Sequence, residues 1–324
     1  MEKLFKDIID VYGVSGREGK IRRFLSNEIK DLGYDILEDK MGNLIVRINK
    51  EDKNKNNFMI SAHMDTIGVI STYIEENGKI RIGSIGDFHV KEMCNTIVVF
   101  EKGILGRTSI DKDGEKIEDM FIDIGADNRE EVLKSIKEGD VAFFKGETLS
   151  QDTLLLSPNL NNRVGCYVLL KILKEIAEDN EVKERLNKLE NNIYLVFTTQ
   201  HNLNSRGARA TTHSVNPQKA LVIDVEEGLK LGEEIGLKIM DKSLIIHDEI
   251  RDMVEDAAKR NNIKLKGITS KTQSDGGAIQ LNGLGAKVGV VTIPCKYMNT
   301  NEEMVSMIDV ENSIKLVKDI ILNS

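Results

Sequence analysis

The stretch "NFMISAHMDTIGVI", residues 57–70, decides how this chain is read. Phe58, Met59 and Ile60 open an apolar run of the kind that fills a buried strand. The run stops at His63-Met64-Asp65 and resumes at Ile67. A His two residues before an Asp, at the end of a buried strand, costs free energy unless both groups are partnered. Such a pair marks a site, and the question is what faces His63.

Working outward, residues 18–32 place apolar side chains at Ile21, Phe24, Leu25, Ile29 and Leu32, with Gly33 behind them. That is an amphipathic helix with a glycine stop. "YDILEDKMGNLIVRI" reads as two strands around Met41-Gly42-Asn43. From about Val69 to Ser157 the texture changes to short alternating strands: "GVISTYI", "KIRIGSI", "TIVVF", "KGILGRT" and "GDVAFFKG". One short helix is predicted among them, over 128–137. Many short strands with Gly or Asn turns read as a small barrel or sandwich. After Asn162 helices and strands alternate again, which predicts a helix-covered sheet. The expected fold class is therefore α/β. Residues 1–66 and 158–324 form the helix-covered sheet, and 67–157 form an inserted β-rich, barrel-like domain.

The chain has 324 residues, of which 40% are hydrophobic and 30% charged, so it is long enough for one large domain or two. The net charge of −8 and the lack of a basic stripe exclude a phosphate-reading surface, so no nucleic-acid partner is expected. No run approaches the length of a membrane span. Cys94, Cys166 and Cys295 are odd in number and form no C-x-x-C pair. That pattern suits reduced thiols and a cytoplasmic setting.

In open α/β sheets ligands sit beyond the carboxyl ends of the strands. His63 and Asp65 follow one strand, and Gln200, His201 and Asn202 follow another. Asp224 ends a third, Tyr297 and Asn299 follow a fourth, and Asn161 and Asn162 precede the helix at 163. Taken singly, each has a structural explanation: a strand-end Asp or Asn caps a turn or a helix, and Asn162 suits an N-cap. Their convergence on one end of the sheet points instead to a site.

At this point the motifs resemble a family, the tetrahedral (glutamyl, or deblocking) aminopeptidases, which are dinuclear metallopeptidases. The resemblance rests on "GVSGREGKIRRFL", "SAHMDTIGV", "GSIGDFHV", "IEDMFIDIGADNREE", "NLNNRVGC", "TTQHNLNSRGA", "VIDV", "SDGGA" and "IPCKYMNTNEE", in that order along nearly the whole chain. It implies metal-ligand roles for His63 and Asp224. It implies that the Asp65 carboxylate orients the His63 ring. It also implies that the inserted domain helps to build oligomers.

Elsewhere the ligand pattern is replaced. The family's bridging Asp falls on Asn161, its catalytic Glu on His201, its ligand Glu on Asn202 and its late His on Asn299. Meanwhile Arg163, Gly165, Arg206, Gly207, Ala208, Asp275, Tyr297 and Glu303 keep the family's pattern.

Two-metal hydrolysis needs cations roughly 3.5–4 Å apart, clamping water and carbonyl oxygen. Two dications that close need a bridging anion, and a neutral Asn amide supplies none. The expectation is no metal, or one weakly held Zn²⁺ or Co²⁺, and not two. The expected function is a non-catalytic relative that binds peptides by their free N-termini, or that self-associates or assembles with an active paralogue. The alternative is a hydrolase with one metal on His63, Asp224 and His201, in which the His201 imidazole is ligand or base.

Overall fold

The structure, a computed structural model, describes residues 3–281 and 283–324. Its centre is a sheet whose middle strands are Asn191–Thr198, Asn56–His63, Lys219–Glu226 and Lys287–Lys296, side by side and parallel. Within Asn56–His63 every residue from Phe58 onward is buried. A parallel strand covered on both faces needs this near-continuous apolar run. Asp35–Glu38 and Leu44–Arg47 extend one side as an antiparallel pair, as expected from the Met41-Gly42-Asn43 turn. On the other side Glu303–Ser306, Leu154–Ser157 and Leu149–Gln151 continue the sheet.

Helices cover both faces. The helix predicted over 18–32 spans Gly19–Ile29 and buries Ile21, Leu25 and Ile29. Leu160–Glu178 is the most deeply sunk, and its Tyr167 ring packs on Phe5 at 4.5 Å. Asn162 caps the regular part of this helix: its side-chain oxygen accepts the Gly165 N–H at 3.1 Å. Among the described residues no helix is long and apolar enough to cross a membrane.

A second body leaves the sheet just after His63. Six strands close into a barrel in the order Gly68–Ile74, Ile80–Ile85, Met120–Asp123, Leu105–Ile110, Ile97–Phe100 and Val141–Lys145. The barrel has its own core, built on residues such as Val69, Ile82, Val98, Phe100, Ile122 and Phe144.

Three details differ from the sequence reading. The inserted domain was expected to run to 157, but the barrel closes at Lys145. Leu149–Gln151 and Leu154–Ser157 pair with each other, and the latter pairs with Glu303–Ser306 in the large sheet. The reason is burial: Leu155 lies opposite Val305 and joins the main core. The helix expected over 128–137 is only Arg129–Leu133, started by the Asn128 side chain on the Glu131 N–H. Met120–Asp123, Ile235–Met240 and Leu265–Thr269 are strands that the sequence reading missed.

The last helix, Met307–Leu322, carries a buried acid in its first turn. Asp309 accepts the Gly232 N–H at 2.7 Å, and its other oxygen has no partner. Burial pushes its carboxyl up to about 7. The folded chain therefore holds this proton more tightly than the unfolded chain does. The stabilisation is complete below the ordinary carboxylate range and is lost as pH rises through about 7. Asp309→Asn stays neutral and can still accept from Gly232. In thermal melts its Tm relative to the natural chain should rise by a few degrees between about pH 5 and about pH 8. An unchanged difference would contradict the buried-proton assignment.

Candidate active site

The parallel strands deliver their site residues to one end of the sheet. His63 ends its strand opposite Thr198, and Asp224 lies opposite Thr292 one strand further on. After Thr198 the chain makes a tight turn through His201–Leu203, with Gln200, Asn204 and Ser205 at positive φ. This turn is held against the sheet by Gly207, where a Cβ would collide with the Thr199 carbonyl and the Asn43 side chain. Asn43 fastens it further, accepting the Thr199 N–H at 2.8 Å and donating to the Gly207 carbonyl at 3.0 Å. The loop after Lys287–Lys296 brings in Asn299 at φ 61°, a conformation that Asn adopts more readily than most residues.

His63 is buried. Its Nδ1 lies 3.0 Å from the Asp65 backbone carbonyl, which places the proton on Nδ1. Nε2 therefore carries the lone pair, 3.9 Å from Asp224 Oδ1 and without a hydrogen-bond partner. Burial, and then the charge of His201, push this imidazole below its ordinary value. The Asp65 carboxylate stands 3.7 Å from the ring. It accepts instead from the backbone N–H groups of His201 and Asn202, from the Asn202 amide and from the Ser15 hydroxyl. The carbonyl of Asp65, rather than its carboxylate, contacts the ring. The carboxylate shapes the 201–202 turn.

His201 stacks face to face on His63, with centroids 4.0 Å apart and planes 6° from parallel. Its Nδ1 meets Asp275 Oδ1 at 2.8 Å, and Asp275 also accepts the Thr198 hydroxyl at 2.7 Å. Burial pulls the His201 pKa down. The charge and hydrogen bond of Asp275, with Asp224 and Asp65 beyond, outweigh it and hold the ring at about 9. Against its own burial, Asp275 is held at about 2 by the same pair. Near neutral pH the stack is a neutral His63 beneath an imidazolium.

The amides close on one another. Asn161 donates from Nδ2 to Asn299 Oδ1 at 2.9 Å, leaving Asn161 Oδ1 buried and unpartnered. Glu303 ties both residues down, accepting the Asn161 N–H at 2.9 Å and the Asn299 N–H at 2.7 Å. Burial pushes Glu303 up to about 7 despite these donors. Asp224 faces Lys238 Nζ at 4.0 Å, and that ammonium also meets Glu226 at 3.0 Å. Above these groups lies a cleft of ≈ 320 Å³, whose walls include Asp87, Asn161, His201, Asn202, Asp224 and Asn299.

All seven residues singled out from the sequence thus meet at one strand end: His63, Asp65, Asn161, His201, Asn202, Asp224 and Asn299. The sequence reading gave no role to Asp275, Glu303, Lys238 or Glu226. Asp275 and Glu303 were visible in "SDGGA" and "NTNEE". Lys238 lies in a strand that the pattern did not disclose.

This donor set does not fit two divalent ions. Among the described residues no group of three or more His, Cys, Asp or Glu side chains is arranged to hold a metal ion. At the bridging position stands an amide already bonded to another amide. His63 Nε2 and an Asp224 oxygen are the good donors that remain.

A helix-covered parallel sheet carrying a small barrel, with its polar cluster at the strand ends, is the architecture of the metallo-aminopeptidase class. A family model described as M42 glutamyl aminopeptidase matches residues 42–316, and the chain belongs to that family. It is 36% identical to an Acetivibrio thermocellus protein named by inference as an aminopeptidase, over 99% of this chain and 98% of that one. It is 29% identical to the lysyl aminopeptidase of Pyrococcus furiosus, over 98% and 95%. The solved Pyrococcus horikoshii TET1 peptidase, described as assembling into a tetrahedron or a large octahedral shell, superposes with a TM-score of 0.87 at 27% identity, over 98% of each chain.

The His201 assignment is open to direct measurement. By NMR of labelled histidine, His201 should titrate near about 9, and Asp275→Asn should bring it to or below the ordinary imidazole value of ~6.5. Titration of His201 near the ordinary value in the natural chain would contradict the ion pair.

Proposed function

We propose that this chain is a non-hydrolysing member of the M42 family that binds peptides by their free N-termini and self-associates. One observation carries the reading. The residues at the family's bridging, base and second-metal positions are engaged with one another or with buried acids: Asn161 with Asn299, Asn202 with Asp65, His201 with Asp275. A general base needs a free lone pair near neutral pH. His201 has Nδ1 on a carboxylate and keeps its proton to about 9. The cleft nevertheless persists, with Asp87 in its lining as an acid for a ligand ammonium.

Self-association is supported by the fold shared with the Pyrococcus horikoshii peptidase and its assemblies. The barrel is the proposed contact domain, as the family resemblance implies, whether with copies of this chain or with an active paralogue.

A one-metal reading has a specific observation in its favour. His63 Nε2 and Asn161 Oδ1 are both buried without hydrogen-bond partners. A weakly held Zn²⁺ or Co²⁺ on His63 and Asp224, with the Asn161 oxygen, would occupy their lone pairs and supply Lewis acidity.

The test is to restore the replaced groups together. Asn161→Asp, His201→Glu, Asn202→Glu and Asn299→His should yield a folded chain that takes up two Zn²⁺ or Co²⁺ and hydrolyses aminoacyl anilides. The natural chain should show almost no turnover. Robust metal-dependent turnover by the natural chain, lost on His201→Ala, would overturn the non-hydrolysing reading.

A further inference from the structure

Beside the strand-end cleft lies a second, larger groove of ≈ 980 Å³. The same two loops wall both. The barrel segment after Ile80–Ile85 places Gly86 and Asp87 in the cleft, and Glu92 and Thr96 in the groove. The loop after Lys287–Lys296 places Met298 and Asn299 in the cleft, and Tyr297 and Thr300 in the groove. A chain held in the cleft therefore has the groove as its continuation.

Ile97, Leu105, Leu156 and Tyr297 form the apolar part of the groove lining. Ile97 is 53% exposed, Leu105 61% and Tyr297 58%. Val98 and Phe100, in the same strand as Ile97, fill the barrel core, so the strand turns Ile97 outward. Leu149 lies directly opposite Leu156 and is itself exposed, which extends the apolar face beyond the groove. Apolar side chains gathered on a surface in this way mark a binding site.

The rim is acidic. Glu92, Glu147 and Glu302 are exposed and have no ion pair among the described residues, and Lys145 is the one base in the described lining. The occupant these features fit is apolar and basic. A second copy of the chain, with its net charge of −8, meets like charge at this rim. A peptide carrying Leu and Lys side chains meets opposite charge above an apolar floor.

We infer that the groove receives the downstream residues of a peptide whose N-terminus lies in the cleft, and that it selects apolar and basic side chains there. The inference rests on the peptide-binding reading above and adds a selection away from the N-terminal residue.

The test is calorimetric titration of the full chain with three C-terminally amidated peptides: Ala-Ala-Ala, Ala-Ala-Ala-Leu-Lys-Leu-Lys and Ala-Ala-Ala-Ser-Glu-Ser-Glu. At low salt the Leu-Lys peptide should bind roughly tenfold tighter than the tripeptide, and the Ser-Glu peptide no tighter than it. Ile97→Ser together with Leu105→Ser, both at exposed positions, should remove most of that advantage. Glu92→Gln together with Glu147→Gln should flatten its dependence on salt. Equal binding of the tripeptide and the Leu-Lys peptide, an equal gain for the Ser-Glu peptide, or an advantage unmoved by the two serine substitutions would overturn this inference alone. So would a loss of self-association on those substitutions, read by sedimentation, which would assign the groove to a second copy. No binding of any peptide would overturn it together with the peptide-binding reading.

Discussion

Four buried acids, Asp65, Asp224, Asp275 and Glu303, crowd the carboxyl end of the parallel strands, and everything around them follows from the need to satisfy them. Burying a carboxylate is costly unless charge or donors surround it. Here the chain supplies both. His201 serves Asp275, Lys238 stands off Asp224, and backbone N–H groups serve Asp65 and Glu303. In a dinuclear enzyme of this architecture cations would carry much of that load. The resemblance implies acids where Asn161 and Asn202 stand and a His where Asn299 stands, and amides at the two acid positions lower the load itself. The substitutions form a set: each removes a negative charge or a ligand that would otherwise need a metal.

Much of this arrangement was legible in the sequence because its positions are periodic. The apolar run ending at His63, the "VIDV" strand ending near Asp224 and the turn at 200–202 announce themselves by strand length and polarity. What could not be read was pairing at long range. Nothing local in "QHNLN" says that His201 meets Asp275, 74 positions away, or that its ring lies flat on His63. The Asp65 carboxylate was expected to orient His63 and instead holds the next turn, because two backbone N–H groups and an amide reach it first. Leu154–Ser157 was assigned to the inserted domain because its texture is that of the barrel strands. Its membership of the large sheet depends on Glu303–Ser306, far along the chain. Met120–Asp123 was hidden behind the charged segment that precedes it.

Fold and chemistry are separate questions in this molecule. The elements that build the scaffold remain, down to a glycine that admits no side chain at 207 and the Asn162 cap on the buried helix. At 161, 201, 202 and 299 the chain carries Asn, His, Asn and Asn, where the resemblance implies the groups of two-metal hydrolysis. A family scaffold therefore leaves the activity to be argued from the site. In this site the polar groups mostly satisfy one another.

The most direct measurement is the metal content of the natural chain. Protein purified without chelator, incubated with Zn²⁺ or Co²⁺ and freed of loosely held ions, should be assayed by elemental analysis. The account predicts well under two ions per chain, with at most one weakly held near His63 and Asp224. Two firmly bound ions, located by anomalous scattering among His63, Asn161, Asn202, Asp224 and Asn299, would contradict it.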